Sequence, residues 1–431
     1  MNKRQKILII AGAGIGGTEK CATIFALQLH SRGHVVGFIS SAGPRLDVLQ
    51  REGIRIFPST TDPGVLAEAI RSFGATIIHQ HVPGYAFDKT LYQSLGLLQD
   101  NKIKLIETNV FGRIEDQESW KRVDFRMFIS SASAAQAFKR AGLEADEKML
   151  QKHTVVNYPM LENKYNWDER ESRAIRSELG VEDDEILFLR IGQPGHKWTL
   201  WEFEAFKLIK KKTPKARLLL MEPPEKLWNR IEADVDNHGV ILKKVTNDFE
   251  WINKLNNAAD ISLHASAWGE SFGYTIAEAM YYGKPVITRS TPWGDNAQVE
   301  LVENTTTGFV CLSVGEMARR GIELTRNKKL RIKLGEAARR RIKMICDAER
   351  ETDVLEAVIE FVLEGKSNQL LKSRGDRLKE FIKTFQNREY GISESLIVHP
   401  VEKTFSIMYL LYKILRGYIR NLKGRIRYSK F

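Results

Sequence analysis

Two glutamates eight positions apart, Glu270 and Glu278, frame the stretch Glu270-Ser271-Phe272-Gly273-Tyr274-Thr275-Ile276-Ala277-Glu278, which continues to Gly283-Lys284-Pro285-Val286. The stretch follows the β-rich run DISLHAS, so Glu270 falls in a strand-to-helix loop and Glu278 lies about two helical turns further on. The backbone N–H groups of Ser271–Tyr274 then stand at a helix N-terminus, where the dipole and the unpaired donors favour a phosphate. Two carboxylates beside such a site can accept hydrogen bonds from several hydroxyls at once. Phosphates together with hydroxyls are the chemistry of a nucleotide sugar.

A second candidate is Gly12-x-Gly14-x-x-Gly17, which follows the apolar run ILIIAG and opens a helix, as a dinucleotide fingerprint does. That fingerprint also requires an acid about 20 residues on, ending the second strand. Here the strand ends Phe38-Ile39-Ser40-Ser41-Ala42-Gly43, with no acid, which argues against NAD. The glycines then either permit a sharp turn and close helix packing or let a ligand approach the backbone. Gly16 and Gly17 are the candidates for such contact.

These segments need a frame to hold them. At 431 residues, with 43% hydrophobic and 28% charged residues, the chain has the profile of two ordinary globular domains. Apolar runs alternate with helix-length segments: KILIIAG, HVVGFIS, GIRIFPS, ATIIHQH, KIKLIET, FRMFISS and HTVVNYP before a polar linker near residues 158–175. After the linker come EILFLRIG, ARLLLME, GVILKKV, DISLHAS and KPVITRS. This is the pattern of two parallel sheets covered by helices. Cys21, Cys311 and Cys346 are too scattered for a disulfide framework or a zinc site, which fits a reducing cytosol.

The Glu270–Val286 segment resembles glycosyltransferase family 4, a group of GT-B enzymes marked by a Glu-x7-Glu motif of the form E-x-F-G-x-x-x-x-E-A-M-x-x-G-x-P-V. Gly16-Gly17 with Glu19, Arg32-Gly33-His34, His79-x-His81, Val155-Val156-Asn157 and Thr307-Gly308-Phe309 extend the likeness over residues 6–363. The resemblance implies an α/β GT-B fold of two Rossmann-like domains facing a cleft. On this reading, residues 1–165 are the acceptor side and 166–345 the donor domain. Residues 346–365 form a closing helix and 366–431 a basic helical tail.

It further implies that Glu278 holds the donor ribose, that Glu270 contacts the sugar hydroxyls, and that the amides of Phe272, Gly273 and Tyr274 run along sugar and diphosphate, with Ser271 and Thr275 in the same donor set. Relatives neutralise the leaving diphosphate with an Arg and a Lys after the first strand of the second domain. Lys197 matches the Lys, but the usual Gly-Arg pair is Gly192-Gln193 here. Arg190 therefore either takes over the catalytic role or serves the structure. Where relatives place a His in the first domain this chain has Asn109, leaving His81 as the candidate catalytic imidazole, both on the acceptor side.

The implied activity is retaining transfer of a sugar from a nucleotide-diphospho-sugar co-substrate to a glycan or glycolipid acceptor, as in surface polysaccharide or glycolipid synthesis. No other cofactor and no metal are expected. Asp234-Val235-Asp236 has the spacing of a metal-binding D-x-D but lies in a polar helix end, where solvated acids are common. A GT-B-fold epimerase or phosphorylase, or a non-catalytic sugar-nucleotide-binding protein, are the alternatives.

The formal charge of +12 sits at the end of the chain: residues 366–431 hold 15 Lys/Arg against 5 Asp/Glu, leaving 51 against 49 in the rest. Met408, Leu411, Leu415, Tyr418 and Leu422 recur at helical spacing, as do Lys413, Arg416, Arg420, Lys423 and Arg427. Residues 404–427 are thus expected to form a basic amphipathic helix for an anionic membrane surface, or for packing on protein. The expected location is cytoplasmic, peripheral at the inner face of the membrane, with no nucleic-acid partner.

Overall fold

The computed structural model describes residues 4–82, 89–99, 102–113, 122–142, 146–165, 167–244, 249–292 and 294–387. The first seven apolar runs form strands β1 (Lys6–Ile10), β2 (Val35–Ser40), β3 (Arg55–Pro58), β4 (Ile77–Val82), β5 (Lys104–Asn109), β6 (Phe125–Phe128) and β7 (His153–Val155). The next five form β8 (Ile186–Ile191), β9 (Ala216–Met221), β10 (Val240–Lys243), β11 (Ile261–His264) and β12 (Val286–Arg289). Strand β13 (Gly308–Cys311), outside the twelve apolar runs, completes the second sheet.

The sheet orders are β3-β2-β1-β4-β5-β6-β7 and β10-β9-β8-β11-β12-β13, and the strand pairs are parallel. Parallel strands are covered on both faces, which is why KILII and ILFLRI read as nearly unbroken apolar runs. In each sheet the strand order reverses once beside the first strand, between β1 and β4 and between β8 and β11. Ligands of open α/β sheets bind outside the carboxyl ends of the strands at such a reversal. The segments leaving β1, β8 and β11 carry the glycine turn, Lys197 and Glu270, so each lies at the reversal point of its own sheet.

After helices Val314–Arg326 and Lys328–Cys346, the helix Ala348–Glu364 crosses back to the first domain. Met160 N–H donates to the Cys346 carbonyl at 2.7 Å where the chain turns. Arg32, at the C-cap of helix Gly17–Ser31, reaches Glu349, Asp353 and Glu356 at 2.6–2.7 Å. Glu349 and Asp353 are more than half exposed, and solvent screens their share. Arg32→Ala is expected to cost about 1–2 kcal/mol, with Glu356 the main contributor; urea unfolding with an unchanged m-value checks it.

Helix Gln369–Asn387 buries Leu378 and Ile382 against Phe138 and Val155 of the first domain. The beginning of the basic tail is therefore packed on protein. The amphipathic segment 404–427 lies outside the described residues. Among the described residues no helix is long and apolar enough to cross a membrane.

Candidate functional site

The loop after β11 is shaped by two glycines in the left-handed region, Gly269 at φ +75° and Gly273 at φ +107°. Gly273 is the N-cap of helix Tyr274–Tyr281, so the Glu270–Gly273 loop delivers backbone donors to the helix start, and Glu278 lies one turn beyond Tyr274 on the same side. Glu270 is tied down through its backbone. Its N–H donates to Gln298 Oε1 at 2.9 Å, and its carbonyl accepts from Ala297 N–H at 2.8 Å. Gln298 Nε2 in turn donates to the Arg289 carbonyl, Thr291 Oγ1 and Asn296 Oδ1. Gln298, which nothing in the motif marks, is thus the clamp that holds the loop.

Lys197, at the end of the loop leaving β8, places Nζ 2.5 Å from Glu270 Oε2, and His264 Nε2 stands 3.3 Å from Glu270 Oε1. Burial pushes the Glu270 carboxyl up, but the Lys197 ammonium and His264 outweigh it and hold it well below the usual carboxylate range. Burial lowers the His264 imidazole, which favours its neutral form.

Lys197 and Glu270 border a cleft of about 470 Å³ between the two sheets' carboxyl ends. The second domain contributes Gly192–Lys197, Met221, Glu222, Ile252, Glu270–Thr275 and Glu278. The first domain contributes Ile15–Lys20, Arg45, Val110, Phe111 and Tyr158. All of the expected donor set is therefore gathered in one place: Gly16, Gly17, Lys197, Glu270, Ser271, Phe272, Gly273, Tyr274, Thr275 and Glu278. Lys20 and Tyr158 were not expected there; Lys20 directly follows Glu19 in the glycine-turn phrase, a signal too local to reveal its partner.

The glycine turn is already filled by protein. A Cβ on Gly17 would lie 2.8 Å from Tyr274 Cδ2, and one on Gly16 only 2.3 Å from Glu19 Oε2. The turn lets the second domain's Tyr274 ring and the carboxylate of Glu19 approach the backbone. Tyr274 also stacks on Tyr158 at 5.1 Å and donates its hydroxyl to the Pro159 carbonyl, so both domains build this wall.

Arg190 touches the same cleft but is 3% exposed. It lies on the face of β8 that carries Phe188, and its guanidinium is committed: Nε donates to Glu202 Oε1 at 2.9 Å, a terminal nitrogen to the Ile191 carbonyl. It also lies over the Trp198 ring at 4.8 Å. Trp198 Nε1 donates to the Gln193 carbonyl, so Arg190 braces the loop that carries Lys197. His81 and Asn109 are not among the residues bordering the cleft. His81 packs beside His79 and Phe25 on the covered face of β4, and burial drives its imidazole well toward the neutral form. Asn109 donates to Glu107 within a buried cluster that includes the Arg126–Glu107 ion pair. Asp234 of the D-x-D accepts from the Asp236 N–H and pairs with Lys207.

Residues 172–341 match the family described as glycosyl transferases group 1. A glycosyltransferase from Rickettsia africae superposes with a TM-score of 0.70 at 18% identity, covering 85% of this chain and 100% of that one. Anabaena HepE, solved with UDP and glucose, gives a TM-score of 0.68 at 18% identity, covering 83% and 100%. The chain has the GT-B fold of these glycosyltransferases, and the family likeness falls on its second domain. The trehalose synthase of Thermococcus litoralis is 28% identical over 155 residues, 32% of this chain. The match spans about a third, 35%, of that relative's length.

Proposed function

We propose that the protein is a retaining glycosyltransferase that moves a sugar from a nucleotide-diphospho-sugar to a glycan or lipid-linked glycan. The observation that carries this reading is the convergence, in one cleft, of Lys197, both glutamates of the Glu-x7-Glu segment and the helix N-terminus at Gly273. The structure of HepE in complex with UDP and glucose agrees with a nucleotide-sugar donor.

In this reading Glu278 takes the ribose hydroxyls, Glu270 the hydroxyls of the transferred sugar, and the Phe272–Tyr274 amides the diphosphate. The bond from the sugar's anomeric carbon to the β-phosphate oxygen breaks, and the electron pair leaves with the phosphate. The acceptor oxygen bonds that carbon on the same face, and its proton passes to the departing phosphate oxygen. Lys197 and the helix dipole stabilise the charge that grows there, while Arg190 holds the Lys197 loop in place. Nothing in this scheme requires a metal or a protein nucleophile. The acceptor approaches along the first domain.

The test is turnover with UDP-, GDP- and ADP-sugars and a panel of glycan and glycolipid acceptors, following nucleoside diphosphate release and the anomeric configuration of the product. Acceptor-dependent release with retained configuration is expected. Product without an acceptor, or only with added phosphate, would point instead to an epimerase or phosphorylase.

A further inference from the structure

One polar contact across the cleft lies outside either glutamate's expected sugar chemistry. Lys20, from the first domain, places Nζ 2.6 Å from Glu278 Oε1 and 2.7 Å from the Tyr165 hydroxyl. The same ammonium lies 4.6 Å from the centre of the Tyr274 ring. The Lys20 side chain is 21% exposed and that of Glu278 10%, so solvent screens this pair little. Lys20 also stands only four residues from the N-cap Gly16, where the helix dipole disfavours a cation. A lysine placed against its own helix dipole owes its position to the carboxylate it faces. Burial opposes the Lys20 charge, yet Glu278 and Tyr165 outweigh it and raise the ammonium above its ordinary value.

Glu278 borders the cleft; its Oε1 is occupied by Lys20, while Oε2 takes no hydrogen bond from the described residues. Arg45 borders the same space, but its Nε is committed to the Gly14 carbonyl. We propose that Lys20 is a positioning residue for the donor: it anchors one oxygen of Glu278 and leaves the other aimed at the nucleotide's ribose, so that the ribose subsite is complete only when both domains meet. The inference rests on the ribose role proposed for Glu278. It makes donor affinity depend on a first-domain residue that never touches the sugar, and on the arrangement of the domains.

The experiment is calorimetric titration of the full chain with whichever of UDP, GDP and ADP wild type binds most tightly. It compares wild type, Lys20→Met, Glu278→Gln, the double variant and Tyr165→Phe, with thermal unfolding as a check on folding. Lys20→Met and Glu278→Gln should each weaken binding about tenfold or more, and the double variant should be within about twofold of the weaker single, because both remove one coupled unit. Tyr165→Phe, which removes only the second anchor of Lys20, should weaken binding by about two- to fivefold. In steady state Lys20→Met should raise the donor KM and leave kcat at saturating donor within about threefold, a split that general destabilisation would not give.

Wild-type or tighter binding by Lys20→Met, or losses that add in the double variant, would overturn the proposal while leaving the ribose role of Glu278 standing. Wild-type binding by Glu278→Gln would overturn both.

Discussion

Lys197→Ala is expected to lower kcat by about a hundred- to a thousandfold with little change in donor KM, the loss seen when one donor to a developing oxyanion is removed. Lys197 is 37% exposed on the open side of the cleft and stands 2.5 Å from Glu270, so it can turn from that carboxylate to an incoming diphosphate without disturbing the core. Its contribution should therefore arise mainly in the transition state, where the leaving phosphate gains charge, rather than in the ground-state complex. Lys197→Arg should restore part of the rate, since a cation returns at a somewhat different reach. Steady-state kinetics with the donor varied reads the effect. A rise in KM at constant kcat would instead make Lys197 a ground-state contact.

Gly269→Ala is expected to cost about 3 kcal/mol or more. Two independent penalties meet there. The backbone is at φ +75°, a region that residues with a Cβ seldom adopt, and the new Cβ would fall 1.5 Å from the Asp295 carbonyl oxygen and 2.2 Å from Thr291 Oγ1. The same crowding would displace the Trp268–Asp295 hydrogen bond that closes the loop ahead of Glu270. Gly53→Ala is the control: it has φ +78° but no atom within 4 Å of the added Cβ, and it should cost only about 1 kcal/mol. Denaturant midpoints for the two variants at a common m-value separate backbone strain from overlap. Equal losses would mean that the loop yields freely.

The twelve apolar runs that became strands were readable because parallel strands are buried on both faces and cannot hide their composition. Glycines at fixed offsets made the Glu270–Gly283 loop and helix equally plain, since a left-handed residue at Gly273 leaves a local mark. What the chain does not spell out is long-range pairing. Lys20 and Glu278 are 258 positions apart, and no spacing rule joins them. Arg190 shows the same limit at shorter range. Its proximity to Lys197 suggests a second cation for the leaving group, yet the side-chain direction on β8 and the buried Glu202 at the start of helix Trp201–Lys212 absorb its charge. His81 lies next to the end of β4, but alternation along the strand turns its ring onto Phe25.

The central claim is that this cleft binds a nucleotide-sugar through Glu278, and calorimetry tests it most directly. UDP-, GDP- and ADP-sugars are titrated into wild type and into Glu278→Ala. The account predicts saturable binding of one nucleotide class by wild type and at least about a tenfold loss of affinity in Glu278→Ala. No sugar nucleotide bound by wild type, or equal affinity in the two proteins, would contradict it.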